Sequence, residues 1–166
     1  MYSQGNAIYL QSGSNIHITN CKIGNSGLYG IYLQSTINSF ISRNEVFFTG
    51  SGGIRISSGN RNLLTFGNVI VEHNYVHDIA RIDRCYTQGI IHLFYLDLCV
   101  AISFGGCGNI VRNNTLMNGP HIAIGGGGNN CLVEYNYVAN FCYETSDAAV
   151  KNIIFFSAYF QGILCW

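Results

Sequence analysis

The chain repeats one six-residue figure five times, and this repetition limits its fold more than any other feature. The figure reads apolar, two variable residues, Asn, one variable residue, apolar. Its clearest copy is Val-Glu-Tyr-Asn-Tyr-Val at 133–138, and the others lie at 18–23, 41–46, 71–76 and 111–116. Successive copies therefore start 23, 30, 40 and 22 residues apart. A base period of 22 or 23 residues with two insertions indicates a repeat protein.

Each copy is preceded by an apolar-x-apolar pair. The pairs are Ile8/Leu10, Ile31/Leu33, Ile54/Ile56, Ile102/Phe104 and Ile122/Ile124. Such runs alternate with period two between Gly, Ser and Asn breaks, which is typical of strands, and no stretch keeps a helical period. A repeat of this length cannot bury its apolar side alone, so the repeats must stack in parallel. The sequence predicts an all-β fold, a right-handed parallel β-helix of about 5–6 coils.

One domain of repeats is expected at 1–148, with insertions near 57–67 and 77–100. Loops added at one corner of a solenoid commonly build its binding face. Residues 149–166 depart from the repeat and predict an irregular apolar tail. The polar start lacks a secretory signal and enters directly on a repeat, so the chain is interpreted as a fragment of a longer protein.

The Asn of the repeated figure has a structural role in such a stack. Residues that share one position in every coil form a column, and stacked Asn side chains can pass amide hydrogen bonds from coil to coil. Cys21 holds this position in the first copy and should end the ladder. The predicted ladder consists of Asn44, Asn74, Asn114 and Asn136.

The amino-acid composition limits which partners the chain can bind. Eight basic and eight acidic residues give a net charge of zero, so there is no basic field for nucleic acid. The apolar run 89–104 has the length of a membrane span but contains His92 and Asp97, so no membrane partner is expected. The seven Cys are odd in number and form no C-x-x-C pair, which predicts no metal site. We expect a monomer without cofactors.

Two outward rows follow from the alternation within the strands. Tyr9, Tyr32 and Arg55 lie between the inward apolar residues of three successive coils, where they form either a sugar-stacking stripe or ordinary solvated sheet surface. On the second sheet, three charged residues should stack as a surface ion ladder of small energetic value. They are Glu72, Arg112 and Glu134.

The candidate catalytic residues lie at another corner, before the first strand of each coil. Small residues precede this strand in four coils, whereas His121 does so in Pro120-His-Ile-Ala-Ile, which predicts that His121 points outward. Carboxylates should lie about one coil above it, and a second group one or two coils below. The upper group is Glu144 and Asp147, and the lower group is Asp83, Arg84 and Tyr86.

These residue types suit a neutral or weakly acidic polymer. Glycoside hydrolysis needs two carboxylates about 5 Å apart for retention or about 6.5–9.5 Å for inversion. Carboxylates one or two coils apart span roughly 5 to 10 Å, so both geometries stay open. A lyase would instead need a base and a cation that neutralises a uronate, for which Arg84 and His121 are available.

Three stretches resemble right-handed β-helix proteins of the pectin-lyase-like superfamily, including carbohydrate-active enzymes of the glycoside hydrolase type. They are 52–65, 120–129 and 132–138, the last followed by Cys-Tyr-Glu-Thr-Ser-Asp-Ala at 142–148. The resemblance covers roughly residues 28–148 and implies that Asp147 and His121 face a glycan cleft. Similar proteins usually continue Asp-Ala-Gly-Ala, whereas this chain reads Asp-Ala-Ala-Val after residue 146. The resemblance also implies export of the full-length protein.

Three functions remain open. The chain is expected to act on a polysaccharide, as a hydrolase ahead of a lyase or epimerase. In the enzyme hypothesis, Arg84, Tyr86, Tyr32 and Arg55 are the expected substrate contacts. A noncatalytic glycan-binding or adhesive solenoid would rely on the Tyr9, Tyr32 and Arg55 row. A truncated gene product without independent function would be poorly soluble because its ends are uncapped.

Overall fold

The protein is described from a computed structural model. The structure describes residues 5–82 and 99–144, together with the backbone at 158–161 and 164–165. Within these ranges the chain forms seventeen strands in three parallel sheets, here named sheets A, B and C. Each coil contributes one strand to each sheet, so the protein is a parallel β-helix solenoid of five complete coils and part of a sixth.

The strands are numbered in chain order. Sheet A contains β1 (Ile8–Ser14), β4 (Ile31–Ile37), β7 (Ile54–Ser58), β10 (Val100–Cys107) and β13 (Ile122–Asn129). Sheet B contains β2 (His17–Thr19), β5 (Phe40–Ser42), β8 (Ile70–Glu72), β11 (Ile110–Arg112), β14 (Cys131–Glu134) and β16 (Ala158–Gln161). Sheet C contains β3 (Lys22–Gly24), β6 (Glu45–Phe47), β9 (Tyr75–His77), β12 (Thr115–Gly119), β15 (Tyr137–Phe141) and β17 (Leu164–Cys165).

The core runs along the axis of the solenoid. Strand side chains alternate between the two faces of a sheet, so every second residue points inward. Sheet B contributes Ile41, Val71, Val111 and Val133, which pair in register and are fully buried. Sheets A and C contribute equivalent columns of Ile, Leu and Val, and Phe104 is the largest fully buried side chain among the residues that the structure describes. This continuous apolar column explains why the short strands are stable only as a stack.

The Asn residues of the repeated figure lie in one column at the turn between sheets B and C. The Oδ1 atom of Asn136 accepts from the backbone and side-chain amides of Asn114 at 3.0 and 2.9 Å. Asn114 accepts in the same way from Asn74, and Asn74 from Asn44, all at 3.0 Å. The column ends where the backbone amide of Cys21 donates to Asn44.

All three corners of each coil contain a residue with positive φ. At the corner between sheets B and C these residues are Asn20, Arg43, His73, Asn113 and Tyr135, with φ from 51° to 56°. Asn tolerates the left-handed region because its short side chain bonds locally, whereas a bulky side chain is strained there. The corners therefore explain why Asn is frequent outside the buried column as well.

The register of the fifth coil differs from the sequence-based alignment. We predicted that Ile122 and Ile124 stack on Ile102 and Phe104, but Ile124 pairs with Ile102 and Gly126 pairs with Phe104. The chain is thus shifted by two residues. A shift by two keeps the same side chains inward, so alternation alone cannot exclude it.

Parts of the tail belong to the solenoid. The stretch Ala158–Gln161 pairs with β14, and Leu164–Cys165 pairs with β15. These two strands were not predicted, because residues 149–166 depart from the repeat. The described ranges contain no helix with the length and apolarity needed to cross a bilayer.

Candidate functional site

The outward face of sheet A carries the aromatic row. Tyr9, Tyr32 and Arg55 pair in register on three successive coils. The ring centroids of Tyr9 and Tyr32 are 5.1 Å apart, and the Arg55 guanidinium lies 5.1 Å from the Tyr32 ring. Tyr9 is 46% exposed, and Tyr32 and Arg55 are partly exposed. In the fourth coil Ser103 takes this position and is buried, so the accessible row spans three coils.

A polar row runs beside the aromatic one. Gln11, Gln34 and Ser57 pair in register two positions further along the same strands. The Tyr9 hydroxyl donates to the side-chain carbonyls of Gln34 at 2.8 Å and Gln11 at 3.3 Å. The five strands of sheet A contain no carboxylate, and Arg55 is their single ionised residue. This face therefore offers aromatic rings, amides and one cation to a ligand.

His121 and Glu144 lie at the corner between sheets C and A. The amide of Glu144 donates to the carbonyl of Pro120 at 3.2 Å, and the amide of Cys142 donates to the carbonyl of His121 at 3.1 Å. The two segments therefore lie on adjacent coils, as the sequence predicted. Glu144 is exposed, whereas His121 is only 5% exposed.

His121 does not lie over open space as predicted, since its side chain is buried. Because Val100 pairs with Ile122, His121 stacks on Cys99 and not on Ala101. The column of small residues before the strand continues instead through Ala123, which is fully buried. The shift therefore changes the residue on which His121 stacks, while a shift by two leaves the alternation of the strand unchanged.

Four of the predicted site residues fall outside the described part of the chain. They are the carboxylates Asp83 and Asp147 and the substrate contacts Arg84 and Tyr86. Among the described site residues, the structure brings Tyr32 together with Arg55, and the segment of Glu144 together with that of His121.

Among the described residues of this corner, a thiol and a pocket are the remaining features. The Cys142 thiol lies 2.9 Å from the His121 carbonyl, and burial raises the pKa of this thiol. A thiol with a raised pKa is a weak nucleophile at neutral pH. An open pocket of about 500 Å³ lies at the same corner in the first three coils. The described residues that line it include no carboxylate; they are Asn25, Ser26, Gly27, Phe48, Gly50, Arg81 and Ile82.

A charged cluster on sheet C was missed from the sequence. His77 Nδ1 lies 2.6 Å from Asp78, and Nε2 lies 3.3 Å from Glu45. A hydrogen bond from the Lys22 ammonium lowers the pKa of Glu45 and favours the carboxylate. Asn118 in the next coil donates to Asp78 at 3.1 Å. Because its two ring nitrogens face two carboxylates, His77 links Asp78 of its own coil with Glu45 of the preceding coil.

A sequence signal for this cluster existed. Aligning the repeats on Cys21 and Asn44 places Lys22 directly below Glu45, and their side chains pair at 3.0 Å. Aligning them on Asn44 and Asn74 places Phe47 below His77, and these rings stack at 5.6 Å. The same alignment of the repeats predicted the ion ladder of Glu72, Arg112 and Glu134 on sheet B. Arg112 Nε donates to Glu72 at 2.7 Å, and its Nη1 lies 4.0 Å from Glu134. Glu134 therefore has a structural partner.

The described residues contain no group of three His, Cys, Asp or Glu side chains able to hold a metal ion. The clearest ligand-facing surface among them is the Tyr9, Tyr32 and Arg55 row. Comparisons with protein-family models, with curated proteins and with solved structures gave no match to this chain. The strand pairing thus establishes the parallel β-helix architecture without a family.

Proposed function

We propose that the chain binds an extended polysaccharide along the outward face of sheet A. The observation that carries this proposal is the register of Tyr9, Tyr32 and Arg55 on three successive coils. We further infer, from the motifs at 52–65, 120–129 and 132–148, that the protein is a carbohydrate-active member of the pectin-lyase-like superfamily. The full-length protein would then be exported and act as a monomer.

The chemistry of the surface supports a sugar ligand. Carbohydrate rings present C–H groups to aromatic rings and hydroxyl groups to amides, and the two rows supply both kinds of contact. Tyr9 and Arg55 lie two strand spacings apart, about 10 Å, which is long enough for more than one sugar unit. The absence of carboxylates from the strands of sheet A favours a neutral or weakly acidic polymer.

The first test is binding to a panel of soluble plant, algal and animal glycans, measured by calorimetry. At least one glycan should bind, and Tyr32→Ala should weaken its affinity roughly fivefold, because one aromatic contact is worth about 1 kcal/mol. Tyr137→Ala is the matched control, since Tyr137 is a 37% exposed tyrosine on sheet C. No binding, or an equal loss in both variants, would refute the proposal.

A second candidate is glycoside hydrolysis at the corner between sheets C and A. It is favoured by the exposed Glu144, whose backbone lies against the segment of His121. Asp147 would supply the second carboxylate and Asp83 a further one, with Arg84 and Tyr86 as substrate contacts; these four roles are proposed from the sequence. Lyase or epimerase chemistry is the alternative at this corner.

The products distinguish these reactions. Hydrolysis of a bound glycan should release reducing ends without an unsaturated-uronate absorbance, whereas a lyase would produce that absorbance. Glu144→Gln and Asp147→Asn should each lower the rate by about 100-fold or more if they carry the proton transfers. Unchanged rates in both variants would exclude these carboxylates, and a chain that binds without cleaving would leave the noncatalytic function.

A further inference from the structure

The corner between sheets C and A contains a column of left-handed residues, one from each complete coil. Strand pairing places them in register, and their φ values lie between 50° and 60°. They are Asn25, Phe48, Asp78, Asn118 and Asn140. Asn and Asp adopt this conformation at low cost, whereas a bulky side chain is strained there. Phe48 is therefore the exception in its column.

Phe48 interrupts the hydrogen bonds that join the coils above it. Asn140 donates to Asn118 at 2.8 Å, and Asn118 donates to Asp78 at 3.1 Å. A phenyl ring can neither donate nor accept in such a series, so the exposed amide of Asn25 has no partner in the column. The cost of the ring at this position must be offset by what the ring contacts.

The Phe48 ring holds the guanidinium of Arg81. The guanidinium lies 4.9 Å from the ring centroid, and the Arg81 amide donates to the carbonyl of Thr49 at 3.0 Å. Arg81 is exposed, and its guanidinium forms no hydrogen bond or ion pair with any residue that the structure describes. Contact with a ring restrains the guanidinium and leaves its N–H groups available to a ligand.

These residues line the open pocket of about 500 Å³ in the first three coils, here named the corner pocket. Its volume is typical of sites for small molecules. Phe48 and Ile82, which are 41% and 56% exposed, give it apolar surface. Gly27 and Gly50 contribute backbone only. The polar side chains of the lining are Asn25, Ser26 and Arg81.

The charge of the corner pocket indicates which ligand it can hold. Its described lining has one cation, Arg81, and no carboxylate. The carboxylate of the column, Asp78, is already engaged, because it contacts His77 at 2.6 Å and accepts from Asn118. An anion in the pocket would therefore meet a positive charge that these described carboxylates do not neutralise.

The geometry of the donors favours a carboxylate. A guanidinium binds a carboxylate through two parallel hydrogen bonds, and the Asn25 amide supplies a further donor. The apolar surface of Phe48 and Ile82 suits a ring attached to that carboxylate. We propose that the corner pocket binds a small organic acid, with its carboxylate on Arg81 and its ring against Phe48.

The corner pocket shares no residue with the Tyr9, Tyr32 and Arg55 row of sheet A. A free organic acid is also not a polysaccharide. Either proposal can therefore hold without the other.

Titration of the full chain with benzoate, followed by the NMR signals of its backbone amides, tests the proposal. Benzoate should bind with a dissociation constant of the order of 1 mM and shift the signals of Gly27 and Gly50. Benzamide keeps the ring without the charge, whereas acetate and inorganic phosphate keep a charge without the ring. Each of these should bind roughly tenfold more weakly. Absence of benzoate binding, or equal binding of any of the three, would overturn the proposal.

Arg81→Gln should weaken benzoate binding roughly tenfold, because it removes the charge-assisted hydrogen bonds. Arg43→Gln is the matched control. Arg43 is also exposed but lies at the corner between sheets B and C, so its replacement removes the same net charge and should leave binding unchanged. An equal loss in both variants would show that net charge attracts benzoate, and would refute a site at Arg81.

Phe48→Asn tests the ring separately. Asn is favourable in the left-handed region, so this variant should unfold no earlier than the parent chain. It should lower the affinity for benzoate roughly fivefold. Tyr135→Asn is the matched control, since Tyr135 is 53% exposed with a φ of 51° at another corner, and it should bind benzoate as the parent chain does. A folded Phe48→Asn variant with unchanged affinity would contradict the proposed contact.

Discussion

Replacing Asn114 by alanine is expected to lower the free energy of unfolding by roughly 3 to 5 kcal/mol, because several buried polar groups lose their partners at once. Asn114 is 1% exposed. Its side chain accepts two hydrogen bonds from Asn74 and donates to Val71 and to Asn136. The loss is a large part of the stability of a typical domain. Urea unfolding followed by circular dichroism measures it.

The control for this prediction is Thr115→Ala. Thr115 is the next residue, is half-buried and points out of sheet C, so its replacement should change the free energy of unfolding by about 0.5 kcal/mol or less. In the double variant Asn74→Ala/Asn114→Ala the two effects should not add, since the residues share hydrogen bonds. A loss below about 1 kcal/mol for Asn114→Ala would contradict a stabilising role for the column.

Replacement by alanine should strongly destabilise the protein at Gly106 and have little effect at the neighbouring Gly105. Gly106 has a φ of 101°, and a Cβ atom there would overlap the carbonyl of Ser58 in the coil below. Gly106→Ala should therefore force β7 and β10 apart and cost roughly 4 kcal/mol or more, the range of the most damaging substitutions. Thermal and urea unfolding of the purified variant, or its loss from the soluble fraction, provide the measurement.

Gly105→Ala is the matched control for this prediction. A Cβ atom at Gly105 would have no neighbour closer than 3.8 Å, so the change should alter stability by about 1 kcal/mol or less. Similar behaviour of the two variants would show that the close approach of the coils at Gly106 does not limit stability.

The stacked fold and the buried Asn column followed from the sequence because each depends on a fixed offset within one repeat. The apolar residues of the figure flank Asn44 and its equivalents in every copy, so a single alignment places both the core and the ladder. Cys21 was also recognisable as the end of the ladder, since its side chain cannot replace the amide of Asn.

The fifth coil shows where such an inference stops. Alternating apolar residues from Val100 to Phe104 permit two alignments with Ile122 and Ile124, and both bury the same face. The pairing of Phe104 with Gly126 distinguishes them. A large side chain opposite a glycine is a packing feature that periodicity does not encode. This single shift changed the position assigned to His121.

The surface sites depend on contacts between coils that are distant in sequence. The contact between the tilted rings of Tyr9 and Tyr32 followed from the register of two regular coils. In contrast, the conformation of residues 60–66 depends on the Asn60 side chain and on contacts with Gly108 and Asn129. The sequence indicated an insertion there, but it could not predict which side chains face solvent.

The amide column makes the coils interchangeable units. Each interior Asn offers the same acceptor to the coil before it and the same donors to its neighbours, whichever coil it belongs to. An in-frame duplication of the 22 residues 111–132 would therefore add one coil without disturbing the hydrogen bonds of the others. The length of this protein could thus change during evolution in whole-coil steps, while the spacing of the groups on its faces stays constant.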